Sequence, residues 1–216
     1  MKVLITHSWS EDNSGDYAIE NAIYKLLKDH FKNQFDSFVF YSLFDTSDSR
    51  FFDHSNNKIN LQNTKVIGSL WGTPPINYST FLKFLYIIKS FINAIFIIVT
   101  LLLQYNLFNR IYLFKKSLKY FIECEIYLVK GGTFIYAPKG VSGFVFVFRI
   151  ILPIIIGLIL RKKIIIAPHS FGPFKNKLAT KIILFILKRV DVIFCREYVS
   201  LRLLQNEGFI NVFYCP

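Results

Sequence analysis

The chain has 216 residues, of which 53% are hydrophobic and 18% aromatic, including 24 Phe and 12 Tyr. That apolar mass can fill a substantial core, which excludes intrinsic disorder. The formal net charge of +12 falls in one half: residues 1–108 balance nine Lys/Arg against nine Asp/Glu, whereas residues 109–216 carry seventeen against five. A basic half of this kind suits phosphates, anionic sugars or the anionic leaflet of a membrane. Its basic residues are dispersed, and no RNP, zinc-finger or helix-turn-helix pattern is present, so no nucleic-acid partner is expected. Three scattered cysteines (Cys124, Cys195, Cys215) make neither a disulfide framework nor a zinc site, and no metal is expected. A reduced, intracellular compartment is the default. The N-terminus MKVLITHSWSEDNSGD turns polar after five residues and does not read as a signal peptide.

In chain order, Lys2–His7 reads as a buried strand that ends in a polar Ser/Asp/Asn/Gly loop. Apolar residues at Ala18, Ala22, Ile23, Leu26 and Leu27 give Tyr17–Phe31 a helical period. Ser37–Leu43 is a second strand, Thr46–Asn63 a polar loop, and Thr64–Leu70 a third strand. Thr80–Phe121 is helical and unusually apolar, Glu125–Lys130 is a fourth strand, and Gly131-Gly132 breaks it. An apolar helix over Gly143–Leu160 leads into strand Lys163–Pro168. Helix Lys175–Lys188, strand Asp191–Cys195, helix Glu197–Asn206 and strand Asn211–Tyr214 follow.

Strands that are apolar throughout, alternating with helices, mark a parallel sheet covered on both faces. The expected fold is therefore α/β, a Rossmann-like, doubly wound and mostly parallel sheet, in which ligands bind beyond the carboxyl ends of the strands. Two segments also carry the length and apolarity of membrane spans. Ser90–Asn109 has no charge but contains Asn93, Thr100, Gln104 and Asn106; Phe144–Leu160 contains Arg149 and Pro153. Helices covering the sheet, an apolar surface lying on a membrane, and a true span are the three alternatives.

Four loops could carry chemistry. In Asn13-Ser14-Gly15-Asp16, Gly15 permits a tight turn before a helix N-terminus, which Asn13 or Asp16 could cap. In Lys130-Gly131-Gly132-Thr133, the paired glycines let a ligand or a neighbouring loop approach the backbone. The pattern is neither a dinucleotide fingerprint nor a P-loop. In Ala167–Phe174, two prolines and a glycine impose an unusual path on the segment that holds His169, Ser170 and Gly172. His169 could act as an acid or base or could be hydrogen-bonded within a rigid turn. The fourth is Arg196-Glu197, with Ser200, Leu204 and Gly208 spaced along the next helix. An arginine at the end of a buried strand can grip a phosphate or carboxylate with its fork, or simply bridge to a nearby carboxylate.

Taken in order, Asn13/Gly15/Asp16, Gly131/Gly132, Ser170/Gly172/Pro173/Phe174 and Arg196/Glu197/Ser200/Leu204/Gly208 resemble the motifs of the polysaccharide pyruvyl transferase family over nearly the whole chain. Lys130 stands where a small or apolar residue would be expected. The resemblance implies one half of a two-domain enzyme of the GT-B type. Residues 1–216 would be the N-terminal Rossmann-like domain, and a second domain would lie outside this chain. It also implies transfer of a pyruvyl group from phosphoenolpyruvate to two hydroxyls of a sugar, forming a ketal and releasing phosphate, with no cofactor or metal. The acceptor would be a cell-surface polysaccharide or its lipid-linked precursor, and the location cytoplasmic, with peripheral attachment to the inner membrane face left open.

In these terms Arg196, Ser170, Gly172, Gly131 and Gly132 are candidates for the anionic donor. Asp16 could orient or deprotonate an acceptor hydroxyl, and Asn13, Gly15, His169, Glu197 and Ser200 are acceptor-binding or loop-shaping. One wall of a cleft cannot enclose a donor and exclude water, so the chain alone is expected to be inactive. Two other readings compete with this one. The chain could be the acceptor-binding half of a GT-B glycosyltransferase, or a non-catalytic, membrane-associated homologue.

Overall fold

The computed structural model describes residues 1–8, 14–31, 34–58, 61, 63–71, 74, 78–103 and 116–216. They form two compact units, Met1–Glu125 and Ile126–Pro216.

The first unit runs β1 (Lys2–Ser8), α1 (Ser14–His30), β2 (Ser37–Ser42), α2 (Ser49–Lys58), β3 (Thr64–Ile67), α3 (Thr80–Leu103) and α4 (Lys116–Glu123). Its strands lie in the order β3-β2-β1. All are parallel, with Leu4 opposite Val39 and Val39 opposite Lys65. Val3, Leu4 and Ile5 and the run Phe38–Tyr41 are buried, which is why these strands are apolar without alternation. Aromatic edges lock the helices down: Tyr24 of α1 meets Phe38 at 5.3 Å, and Phe121 of α4 meets Tyr41 at 5.1 Å between ring centroids.

Two expectations are corrected here. The segment 46–63, read as a polar loop, contains α2. Asp48 Oδ1 accepts the Arg50 N–H at 3.0 Å, an N-capping contact, and the helix buries His54 and Lys58. Lys58 Nζ donates to Asn21 Oδ1 at 2.8 Å and lies 3.6 Å from Glu20, whose carboxylate also meets His54 Nε2 at 3.2 Å. The inward face of α2 is polar and paired with α1, so hydrophobic periodicity could not reveal it. The single helix expected over 80–121 is instead α3 and α4; residues 104–115 lie outside the described set.

The second unit runs β4 (Ile126–Val129), α5 (Gly140–Ile159), β5 (Lys163–His169), α6 (Lys177–Leu187), β6 (Val192–Cys195), α7 (Tyr198–Asn206) and β7 (Val212–Tyr214). Its strands lie in the order β4-β5-β6-β7, again all parallel. Helix α5 packs on β4, β5 and α6 and buries Val147, Ile150, Ile151, Leu152, Ile154 and Ile156. Asn176 caps α6 by accepting the Ala179 N–H at 3.1 Å. Strand order 3-2-1 in one unit and 4-5-6-7 in the other, with a helix between successive strands, is the winding of an α/β, Rossmann-like doubly wound fold.

Candidate functional site

The loops at the carboxyl ends of β4, β5 and β6 are stitched to one another by backbone hydrogen bonds. After β4, Gly131 packs so closely on β5 that a Cβ there would stand 2.6 Å from Pro168 O, leaving room only for glycine. Gly132 O accepts the Ser170 N–H at 2.9 Å, and Ile135 O accepts the Gly172 N–H at 3.0 Å. Of the two visitors that paired glycines could admit, it is the neighbouring loop that occupies this place. Gly131 and Gly132 are buried, and the Gly172 N–H is already committed.

His169 is wholly buried. Its Nε2 accepts the Ile135 N–H at 3.1 Å, which assigns the ring proton to Nδ1. The ring sits between Phe134 and Phe171, with centroids 4.5 and 5.0 Å away. A neutral imidazole so enclosed holds the loops together and cannot reach a ligand.

The next loop sits on β6. Arg196 donates its N–H to His169 O at 3.1 Å, fixing the start of its side chain beside the β5 loop. Its Nη2 then donates to Ser170 Oγ at 3.0 Å, and Ser170 Oγ donates to Glu197 Oε1 at 2.7 Å. Arg196 and Glu197 also lie 3.6 Å apart, at 40% and 51% side-chain exposure. Ser200 Oγ, buried in the first turn of α7, accepts the Phe171 N–H at 2.9 Å. Thus Ser170, Arg196, Glu197 and Ser200, all singled out in the sequence, converge at the head of one helix. A half-exposed ion pair contributes about 0–1 kcal/mol, so the hydrogen bonds through Ser170 do most to fix the guanidinium. One of the five donors of Arg196 is used by Ser170, and its exposure leaves the fork accessible to an anion from solvent.

The loop after β5 that holds Ser170 also borders a cleft of about 520 Å³. Thr133, Tyr136, Lys139, Gly172, Pro173 and Lys175 line it. Gly172 belongs to the same loop as Ser170, two residues along. Lys139 and Lys175 were not anticipated from the sequence. The usable signal was a lysine beside each proline-containing loop, Pro138-Lys139 and Pro173-Phe174-Lys175.

Gly15 and Asp16 belong to the first unit. Helix α1 begins at Ser14, so Gly15 makes no tight turn ahead of the helix and Asp16 lies within its first turn rather than at the cap. A carboxylate there favours the helix dipole. Asn13 lies outside the described residues. Among the described residues no group of three or more His, Cys, Asp or Glu could hold a metal ion.

A family model for polysaccharide pyruvyl transferases matches residues 13–216. The chain belongs to the polysaccharide pyruvyl transferase family. This is a family of transferases, and its description implies a glycan acceptor. A comparison with curated proteins finds no significant match.

Within this pyruvyl transferase chain, Cys195 immediately precedes Arg196 and ends β6. Burial pushes its thiol up from about 9 to about 11. It is therefore a protonated, apolar packing group at neutral pH rather than a nucleophile.

Proposed function

We propose that this protein transfers the pyruvyl group of phosphoenolpyruvate to hydroxyls of a cell-surface polysaccharide or its lipid-linked precursor, at the cytoplasmic side. The observation that carries this reading is the Arg196–Ser170–Glu197 cluster at the head of α7 in a chain of this family. Phosphoenolpyruvate bears a phosphate and a carboxylate, so its site needs fixed cations with room around them. Arg196 supplies a fork already oriented by Ser170, and Lys139 and Lys175 line a cleft bordered by Gly172 of the same loop as Ser170. Ser170 and Glu197 act as positioning residues, holding the guanidinium in one rotamer so that little side-chain entropy is lost when a ligand binds.

In the reaction, the methylene carbon of the donor takes a proton and a sugar hydroxyl adds to the carbon that bears the phosphate oxygen, yielding its own proton to a base. The bond to phosphate then breaks, and a second hydroxyl adds in its place and loses its proton. The products are a cyclic ketal and inorganic phosphate.

The test is phosphate release and ketal formation when the purified protein is given phosphoenolpyruvate and candidate glycans. Arg196→Lys keeps the charge but loses the fork. Removing a charge-assisted contact costs about 1.5–3 kcal/mol, so KM for the donor should rise about 10- to 100-fold while the melting temperature stays put. A lowered melting temperature with donor KM unchanged would make Arg196 a purely structural residue.

A further inference from the structure

Helix α3 has 24 residues, and its most apolar stretch has a mean hydropathy of 2.2, yet only 28% of that stretch is buried. Phe84, Ile88, Ile92, Phe96, Val99 and Leu103 are each between 39% and 71% exposed. At about 100° per residue they fall within an arc of roughly 120° along the whole helix. The opposite side, with Ser90, Ala94, Ile97 and Leu101, is buried in the protein. Trp71 holds the helix there through Phe91, ring centroids 5.9 Å apart. Soluble proteins rarely leave so continuous an apolar surface uncovered.

The charges on the helix and in the sequence that flanks it indicate what covers it. Between Asp53 and Glu123 the sequence has no Asp or Glu at all and eight Lys/Arg; Lys58 is buried against α1, whereas Lys83 and Lys89 lie on α3 itself. An apolar stripe within an exclusively basic stretch matches an anionic bilayer surface, where hydrophobic insertion and electrostatic attraction act together. A second copy of the chain fits worse, because an isologous contact would bring the same positive residues face to face.

The helix does not cross the bilayer. Ser117 Oγ donates to Gly68 O at 2.7 Å, tying the chain just after α3 to the chain just before it. A single crossing would hold these two residues on opposite sides of about 30 Å of hydrocarbon. We infer that α3 is a monotopic membrane anchor, lying in the plane of an anionic membrane with the Phe84–Leu103 stripe immersed and its other side on the protein. This does not rest on the pyruvyl-transfer reading, and binding to lipid is measured separately from activity.

The experiment is co-sedimentation of the full chain with vesicles of phosphatidylcholine alone or of equal parts phosphatidylcholine and phosphatidylglycerol. The wild type should bind the anionic vesicles more strongly, with an affinity that drops as salt is raised. Phe84→Asp/Ile92→Asp/Val99→Asp should lower the partition coefficient at least about tenfold, with a circular-dichroism spectrum and melting transition like the wild type. A second measurement does not depend on the folding of that variant: a tryptophan introduced by Phe96→Trp should gain emission on vesicle binding and be quenched by brominated lipid. Wild-type protein that ignores both vesicles, a folded triple variant that binds undiminished, or an unquenched Phe96→Trp signal would overturn the inference. So would a dimer that the triple variant dissociates.

Discussion

Helices α3 and α5 are nearly interchangeable as sequences. Their most apolar stretches have mean hydropathies of 2.2 and 2.4, and each helix is long enough to cross a bilayer. The protein uses them differently. Half of the most apolar stretch of α5 is buried against 28% for α3, and the buried residues of α5 include a continuous run from Ile150 to Ile154. Helix α5 is roofed by α6 and floored by β4 and β5, whereas α3 packs one stripe and presents the other outward. Apolarity states that a surface must leave water; it does not state whether protein or lipid receives it.

The sharpest way to break this comparison is to place the same charge in both helices. Ile156→Asp, at a position with no exposure, should cost about 3–5 kcal/mol or abolish folding. Ile92→Asp, at 60% exposure, should stay within about 0.5 kcal/mol. Equal losses in urea denaturation of the two variants would show that α3 is covered after all.

A smaller perturbation probes how tightly α5 fits. A Cβ on Gly157 would stand 2.6 Å from the Tyr127 ring and 2.9 Å from Ile164 Cδ1. Gly157→Ala should therefore destabilise by about 1–3 kcal/mol through overpacking, despite its better helix propensity. A stabilised variant in the same urea titration would mean the helix–sheet contact is loose.

The sealing of the second unit can also be read from its thiols. Buried Cys195 should resist alkylation at pH 8 until the protein unfolds, while half-buried Cys215 reacts first. Because the Cys195 thiol is raised to about 11 when folded, its contribution to stability is complete below its ordinary value of about 9 and is lost as pH climbs from there through 11. Cys195→Ala should flatten the fall of the urea midpoint over that interval.

The smallest effect is expected in the first unit. The Glu123 carboxyl is pushed up by partial burial, but hydrogen bonds and charge from Lys2 and Lys119 outweigh this and hold it below its ordinary value. Its stabilisation is present above about pH 4.5 and fades as the pH falls through the depressed value. Glu123→Gln should cost under about 1 kcal/mol at neutral pH and lessen the acid-side loss of melting temperature.

Legibility in the sequence followed the physics of each element. Buried parallel strands such as Val3–Ile5 and Ile164–Ile166 announce themselves, because both faces of the sheet demand apolar residues. Helix α2 did not, since His54 and Lys58 enter the interior paired with Glu20 and Asn21 of α1. No one-dimensional pattern records a partner more than thirty residues away. In the candidate site, Arg196 stood out from its place at a strand end, and Ser170, Glu197 and Ser200 from the motifs that carry the family resemblance. Lys139 and Lys175 did not, because a lysine beside a loop looks the same whether it lines a cleft or faces open solvent.

The sequence by itself determined the α/β class, the order of strands and helices and the basic character of the chain, because burial and turn chemistry act on neighbours a few residues apart. Only the tertiary structure decided which side of α3 stays bare, that His169 is sealed between Phe134 and Phe171, and that Ser170 stands between Arg196 and Glu197. Each of these depends on distances between segments far apart in the chain, set by packing and hydrogen bonds that form only when the sheet brings the segments together.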